Sequence, residues 1–311
     1  MNLAAIDIGT NSTRLLISDH TNGEVRTLIR EMYITRLGKG IKESGVISEE
    51  NELLTIKTLK RYKSLIDKFE VKKYLAVGTS GLRRAVNCSE FVNKVFKETA
   101  IEIEIISGSK EAEFSFNGAV RNLNFPLNIG TPQKILVMDI GGGSSEFVLG
   151  DKDSNIMLVN SIDLGCVRAT EDYLHSDPPK EHEITRLNIA IEEKLEQSLG
   201  EFKKYEDFII FGLAGTISTL ASISLNLKKY DMEKVNYHVL NIKKIINIFN
   251  DLCILTTEER KKVTGLEPKR ADVILGGIAI VIKVLKYFKK DKIIVRENDI
   301  LDGIIYSLTI I

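Results

Sequence analysis

Two short stretches of the sequence hold residues that can do chemistry together. Leu3-Ala4-Ala5-Ile6-Asp7-Ile8-Gly9-Thr10-Asn11-Ser12 and Leu136-Val137-Met138-Asp139-Ile140-Gly141-Gly142-Gly143-Ser144 both read as an apolar strand, Asp-Ile-Gly, small or polar residues, then Ser. A carboxylate at a strand end beside open backbone amides suits a metal-bridged phosphate, because the amides cradle the oxygens while the Asp reaches Mg²⁺ through water. One such turn alone is an ordinary hairpin. Two matching copies, the second extended as Gly141-Gly142-Gly143-Ser144-Ser145, point to a phosphate site instead. A further Gly-rich stretch, Phe211-Gly212-Leu213-Ala214-Gly215-Thr216, lies between an apolar run and a helical pattern, where glycine serves either close packing or a ligand.

The elements that must position these turns follow from the flanking pattern. Each copy returns to apolar residues, Leu15-Leu16-Ile17 and Phe147-Val148-Leu149, which predicts a β-hairpin with Gly or Asn at positive φ in its tight turn. The copies sit about one domain apart, so a duplicated fold is the economical reading. Further strands are predicted at Tyr74-Leu75-Ala76-Val77, Ile101 to Ile106, Ile209-Ile210-Phe211 and Lys292-Ile293-Ile294-Val295. Helices are predicted over Ser48 to Phe69, behind a Ser48-Glu49-Glu50-Asn51 cap, and over Ser89 to Glu98, Glu183 to Lys204, Ile242 to Leu255 and Asp272 to Phe288. Strands alternating with helices imply an α/β architecture. The Pro-containing segment Asn124 to Pro132 divides it into two domains, 1–124 and 125–311.

Composition narrows the class of partner. With 43 Lys and Arg against 43 Asp and Glu among 311 residues, an anion must be held by local clusters and not by the field of the whole molecule, which disfavours nucleic acid. The hydrophobic share of 43% with only 5 Pro excludes a disordered or collagen-like chain. Cys88, Cys166 and Cys253 are odd in number and widely spaced, so neither a disulfide framework nor a zinc knuckle is expected, and a cytoplasmic location fits. The N-terminus lacks the basic and long apolar regions of a signal peptide. Phe208 to Leu227 carries no charge, but its Gly, Ser, Thr and Asn content predicts a buried strand, turn and helix and not a membrane span. The Lys283, Lys286, Lys289, Lys290 and Lys292 cluster reads as a solvated face, with help in holding a polyanion as its other use.

Three glycine turns and two strand-end Asp residues resemble the actin, sugar kinase and Hsp70-like ATPase superfold. Six segments in order sharpen the likeness: Thr35-Arg36-Leu37-Gly38-Lys39-Gly40, Gly78-Thr79-Ser80-Gly81-Leu82-Arg83-Arg84-Ala85, Ile106-Ser107-Gly108-Ser109-Lys110-Glu111-Ala112, Asp139 to Glu146, Gly212-Leu213-Ala214-Gly215-Thr216 and Lys269-Arg270-Ala271-Asp272. Together they resemble the exopolyphosphatase / guanosine pentaphosphate phosphohydrolase family over nearly the whole chain. The resemblance implies two duplicated ribonuclease H-like domains with an interdomain cleft, the last helix (about 299–311) packing back on the first domain.

It also implies a phosphoanhydride hydrolase. The substrate would be inorganic polyphosphate or the 5′ γ-phosphate of guanosine pentaphosphate, a stringent-response nucleotide, and the cofactor Mg²⁺ or Mn²⁺. Glu111 matches the family's catalytic base, and Arg36 and Arg83 match positions that line the phosphate cleft, Arg83 as a catalytic charge stabiliser. Asp139 and Glu146 match the metal-side acids, with Asp7 as their counterpart in the first half. Asn11, Ser12, Thr13, Gly142, Gly143, Ser144, Ser145, Gly215 and Thr216 would contact substrate oxygens. Arg270 would either pair with Asp272 or reach a distal phosphate.

The family usually ends in a Ser-Asp-x-Gly-x-Arg-Glu-Gly pattern, where this chain reads Arg296-Glu297-Asn298-Asp299-Ile300-Leu301-Asp302-Gly303, with Leu301 at the Arg position. The expected consequence is reduced processivity on long chains. The chain resembles the short members without the C-terminal helical domain, and a homodimer stays open. Two rivals remain at the level of sequence: a small-molecule kinase of the same superfold, and a guanosine tetra- or pentaphosphate sensor with little turnover.

Overall fold

The computed structural model describes residues 1–121, 123 and 134–309. Among these, the strands form two mixed sheets. The first runs β3-β2-β1-β4-β5, from β1 (Asn2–Ile8), β2 (Thr13–Thr21), β3 (Glu24–Tyr33), β4 (Lys73–Gly78) and β5 (Ile103–Ile105). Its β1, β2 and β3 pair antiparallel, whereas β1, β4 and β5 pair parallel. The second contains β6 (Ile135–Ile140), β7 (Ser145–Gly150), β8 (Ile156–Ile162), β9 (Ile209–Leu213), β10 (Val239–Asn241) and β11 (Lys292–Val295), in the order β8-β7-β6-β9-β11-β10. Its β6, β7 and β8 are antiparallel, β6, β9 and β11 are parallel, and β10 adds an antiparallel edge. The two sheets therefore repeat one topology, and the chain is an α/β protein with a duplicated fold.

Alternation along β1 explains why it is buried almost throughout. Ala4, Ile6 and Ile8 join a core with Ile56, Leu59, Tyr62, Phe91 and Val95, which come from the helices Glu49–Lys68 and Cys88–Thr99. Leu3 and Ala5 point the other way, into a core with Phe114 of the helix Gly108–Val120 and Leu301, Ile304 and Ile305 of the helix Ile300–Thr309. A strand covered on both faces loses the polar alternation of a surface strand, as its sequence shows. The Ser48 hydroxyl accepts from the Asn51 amide and starts the helix Glu49–Lys68 where the cap pattern places it.

The chain divides into two compact units, Met1–Gly118 with Ile300–Ile311, and Ala119–Asp299. The expected boundary at Asn124 to Pro132 lies outside the described residues. Two expectations are corrected. Neither Asp-Ile-Gly turn uses positive φ at Gly9, Asn11 or Gly141 to Gly143. Each is a four-residue loop closed by Gly9 N–H donating to Ser12 O at 2.9 Å, or Gly141 N–H to Ser144 O at 3.0 Å, and a Cβ at the glycine would stand 3.1 Å from that same carbonyl oxygen. The single helix expected over Glu183 to Lys204 ends at Leu199 and continues as a 3₁₀ turn, Gly200–Lys204. Phe208 to Leu227 forms β9 and the helix Ala214–Ser224, with Ala214 at φ 69° making the corner. Among the described residues no helix is long and apolar enough to cross a membrane.

Candidate active site

In the first unit, the β1–β2 turn organises the expected residues. Asp7 and Arg14 stand directly opposite in register, and Asp7 Oδ2 accepts from Arg14 Nε at 2.9 Å and from Nη2 at 2.6 Å. The loop after β3 is stitched to the turn by Arg36 N–H to Asn11 O at 2.9 Å and Gly38 N–H to Thr10 O at 2.8 Å. Those bonds place Arg36, at φ 52°, beside the turn. The short helix Ser80–Arg84 meets the same turn, for a Cβ on Gly81 would lie 3.2 Å from Thr10 Cα and 3.3 Å from Thr10 Oγ1.

Three neutral side-chain groups there are buried with no hydrogen-bond partner among the described residues: Thr10 Oγ1, Asn11 Nδ2 and Ser80 Oγ. Their residues are 8%, 7% and 3% exposed. Such groups are rare in folded proteins and call for an external partner. One turn on from Ser80, Arg83 Nη1 donates to Glu111 Oε2 at 2.7 Å and to Ile106 O at 2.9 Å. Glu111 lies in the first turn of the helix Gly108–Val120, where the helix dipole favours its negative charge. Thr13 behaves differently from the expectation of a substrate donor. It is fully buried, and its hydroxyl is 2.9 Å from that of Thr35.

The second unit gathers its own set. The glycine turn after β6 packs on the start of the helix Cys166–Tyr173: Cys166 N–H donates to Gly141 O, and Val167 N–H to Gly142 O, both at 2.9 Å. A Cβ at Gly165 would come within 2.6 Å of Gly142 and Gly143 backbone atoms, so the contact requires glycine. Cys166 also hydrogen-bonds Thr216 and feels the Arg270 charge, although burial dominates and pushes its thiol up. The guanidinium of Arg270 lies against Gly215, close enough that a Cβ there would sit 2.0 Å from Cζ. Gly142, Gly143, Gly215, Thr216 and Arg270 thus meet around Cys166. Ser144 is buried in the turn, and the Ser145 hydroxyl is spent on the Leu164 carbonyl, which holds the strand end and leaves no proton for a substrate.

For a metal, Asp139 and Glu146 stand directly opposite on β6 and β7 and so share one face of the sheet. They are 7% and 1% exposed, and Glu146 Oε1 accepts from Ser161 Oγ at 2.9 Å. Two adjacent buried carboxylates favour a bound cation between them. Among the described residues no three His, Cys, Asp or Glu side chains assemble as a metal cluster. Mg²⁺ is commonly held by one or two carboxylates together with waters and phosphate oxygens, so the pair fits that ion.

The family model for the Ppx/GppA phosphatase family matches residues 16–310. The chain belongs to this family. Among its relatives, the bifunctional 3-dehydroquinate synthase/phosphatase of Fusobacterium nucleatum is 38% identical over 97% of the chain, which spans 46% of that protein's length. Exopolyphosphatase 2 of Mycobacterium tuberculosis is 34% identical over 98% of both sequences. The solved Ppx/GppA enzyme of Aquifex aeolicus superposes with a TM-score of 0.83 at 36% identity, covering 99% of each chain. An exopolyphosphatase from Cytophaga hutchinsonii gives 0.87 at 29% identity, over 99% of this chain and 97% of that one.

Within this Ppx/GppA fold, sequence reasoning missed Thr10, Arg14 and Ser80. Thr10 and Ser80 lie inside motifs quoted above, but nothing in a linear sequence marks a hydroxyl as buried and unpartnered. Arg14 is recognisable only from the hairpin register that sets it opposite Asp7. At the altered C-terminal motif, Leu301 is 1% exposed in the first unit's core, and Asp302 is ion-paired with Arg30.

Proposed function

We propose that the protein is a phosphoanhydride hydrolase that removes the terminal phosphate of inorganic polyphosphate, with guanosine pentaphosphate as the alternative substrate carrying the same anhydride. The observation that carries this reading is the set of buried, unpartnered donors Thr10, Asn11 and Ser80 beside the Arg83–Glu111 pair. A terminal phosphoryl group supplies the acceptor oxygens those donors lack, and the Glu111 carboxylate, held by Arg83 one helical turn on from Ser80, supplies a base. The exopolyphosphatase relatives make polyphosphate the first substrate to try.

In the reaction, water attacks the terminal phosphorus and gives its proton to the Glu111 carboxylate. The P–O bond to the bridging oxygen breaks, and its electron pair leaves with the shortened chain. Arg83 holds Glu111 through Oε2 and would offer its other N–H groups to phosphate oxygens as charge develops. Thr10, Asn11 and Ser80 would bond phosphate oxygens at the first unit's turn; the second unit has an anion-binding set of its own in the amides of Gly142 and Gly143 with Gly215, Thr216 and Arg270. Asp139 and Glu146 would hold Mg²⁺, which when bound supplies charge neutralisation to phosphate oxygens. Asp7 is already balanced by Arg14 and keeps the turn in shape.

Phosphate release from polyphosphate and from guanosine pentaphosphate, each with and without Mg²⁺ and with no acceptor present, tests the reading. Release from at least one, lost on adding a chelator, is the expected result. A kinase would release almost none, and a sensor would bind without turnover. Glu111→Gln should lower kcat by about 10²-fold or more while polyphosphate still binds. Full activity in that variant removes Glu111 from the mechanism.

A further inference from the structure

The residues directly after β11, Arg296 and Glu297, make a network that the reaction above does not use. Arg296 is 2% exposed, and its backbone N–H extends the β11–β9 pairing to Gly212 O at 2.9 Å. Its guanidinium donates from Nε to Ala119 O at 3.1 Å, from Nη1 to Asn236 Oδ1 at 3.0 Å and from Nη2 to Asn298 Oδ1 at 3.2 Å. The same group stacks 4.3 Å from the Tyr237 ring centroid. Three directions of hydrogen bonding and an aromatic face leave the planar fork one orientation.

Ala119 belongs to the last turn of the helix Gly108–Val120, whose first turn carries Glu111. The last carbonyls of a helix have no partner within it, and a cation there also opposes the negative end of the dipole. Arg296 therefore supplies what this helix end lacks. Glu297 does the matching task on a second helix. Its Oε1 accepts from Ser218 Oγ at 2.6 Å, its other oxygen accepts from Tyr230 OH, and its backbone N–H donates to the Asn236 Oδ1 that Arg296 uses. Ser218 also bonds Ala214 O at 3.2 Å, so Glu297 grips the opening turn of Ala214–Ser224, which holds Gly215 and Thr216.

We propose that Arg296 and Glu297 are positioning residues, in which Arg296 anchors the far end of the helix bearing Glu111 and Glu297 anchors the turn bearing Gly215 and Thr216. The proposal rests on the reading of Glu111 as the base. A helix is stiff, and Glu111 lies eight residues from Ala119, about 12 Å along the axis, so a displaced far end moves the carboxylate. Misplacing a reacting group by about 1 Å can cost about 10²-fold in rate.

The test compares Arg296→Met, Arg296→Gln and Arg296→Lys, each alone and combined with Glu111→Gln, by kcat and KM for phosphate release from polyphosphate with Mg²⁺. Far-UV circular dichroism and thermal melts establish which variants fold, and Arg296→Gln, which keeps a donor, stands in if Arg296→Met does not. The expected result is a kcat about 10- to 100-fold lower with KM within about twofold, and only partly restored in Arg296→Lys, whose ammonium keeps the charge and a donor for the helix end but not the planar fork. On the Glu111→Gln background the same substitution should change kcat by less than about twofold, because the two residues act as one unit. A wild-type kcat in Arg296→Met, or an equal loss on both backgrounds, overturns the proposal. If Glu111→Gln itself stays active, the base reading fails separately. Hydrogen exchange then decides the anchor: faster exchange of the last-turn amides of Gly108–Val120 in Arg296→Met supports it, and unchanged exchange refutes it.

Discussion

Replacing Ser80 by Ala should stabilise the free protein and damage its activity, a combination that separates a ligand-binding hydroxyl from a structural one. Ser80 is 3% exposed and its Oγ has no hydrogen-bond partner among the described residues. Burying such a group unsatisfied costs about 1–3 kcal/mol, which Ala does not incur. For a unit of this size each kcal/mol corresponds to roughly 2–4 °C in Tm, so Ser80→Ala should melt higher than wild type without phosphate. A hydrogen bond to a charged oxygen contributes about 1.5–3 kcal/mol, equivalent to roughly 10- to 150-fold in kcat/KM if the bond is made in the transition state. Thr10→Val, close in shape and lacking the hydroxyl, should behave in the same way. The assay is scanning fluorimetry with and without added phosphate, paired with phosphate release from polyphosphate. Wild type should gain Tm from phosphate and the variants should gain less. A lower Tm in Ser80→Ala combined with unchanged kcat/KM would refute the reasoning, for the hydroxyl would then be a structural one.

Three other outcomes follow from particular contacts. Gly215→Ala places a Cβ 2.0 Å from Arg270 Cζ, and because a guanidinium is the mobile end of its side chain, the cost should fall on KM for substrate while Tm changes little. Asp139→Asn leaves Glu146 as the lone carboxylate of the cross-strand pair, and the Mg²⁺ concentration giving half-maximal phosphate release should rise by about tenfold or more; an unchanged Mg²⁺ dependence argues against this metal position. Glu183 accepts from the backbone N–H groups of His175, Ser176 and Lys180, and these bonds, that from Lys180 foremost, hold its carboxyl below the usual value of 4.5. A lowered folded-state pKa contributes stability above the unfolded value and loses it as pH falls through the folded one. Glu183→Gln should therefore melt lower than wild type at pH 7, with the gap narrowing below about pH 4.5 in melts across pH.

Much of the fold was legible because it rests on short-range patterns. The Asp-Ile-Gly repeats became β1–β2 and β6–β7 with matching registers, and the Ser48 cap begins its helix at Glu49. The apolar run before Gly212 became β9, since a continuous apolar stretch ending in glycine suits a strand buried on both faces. The edges were harder to read. Strand β3 has a mixed sequence whose burial depends on pairing with β2, and β10 has only three residues, its partner β11 lying about fifty positions away. Their strand character comes from neighbours and not from their own periodicity.

The site divides along the same line. Residue type and spacing alone marked Asp7, Asp139 and the glycine turns as candidates for phosphate binding, because a strand-end carboxylate beside backbone amides suits a metal-bridged phosphate. Tertiary structure decided which hydroxyls remain available: Thr13 is committed to Thr35 and Ser145 to Leu164, whereas Thr10 and Ser80 are buried with no partner among the described residues. It also brought Arg14 against Asp7, Arg83 against Glu111 and Arg270 against Gly215. The physical reason is that a side chain's chemistry is local to its residue, but its hydrogen-bond partner is chosen by whichever backbone or side chain packing brings within about 3 Å.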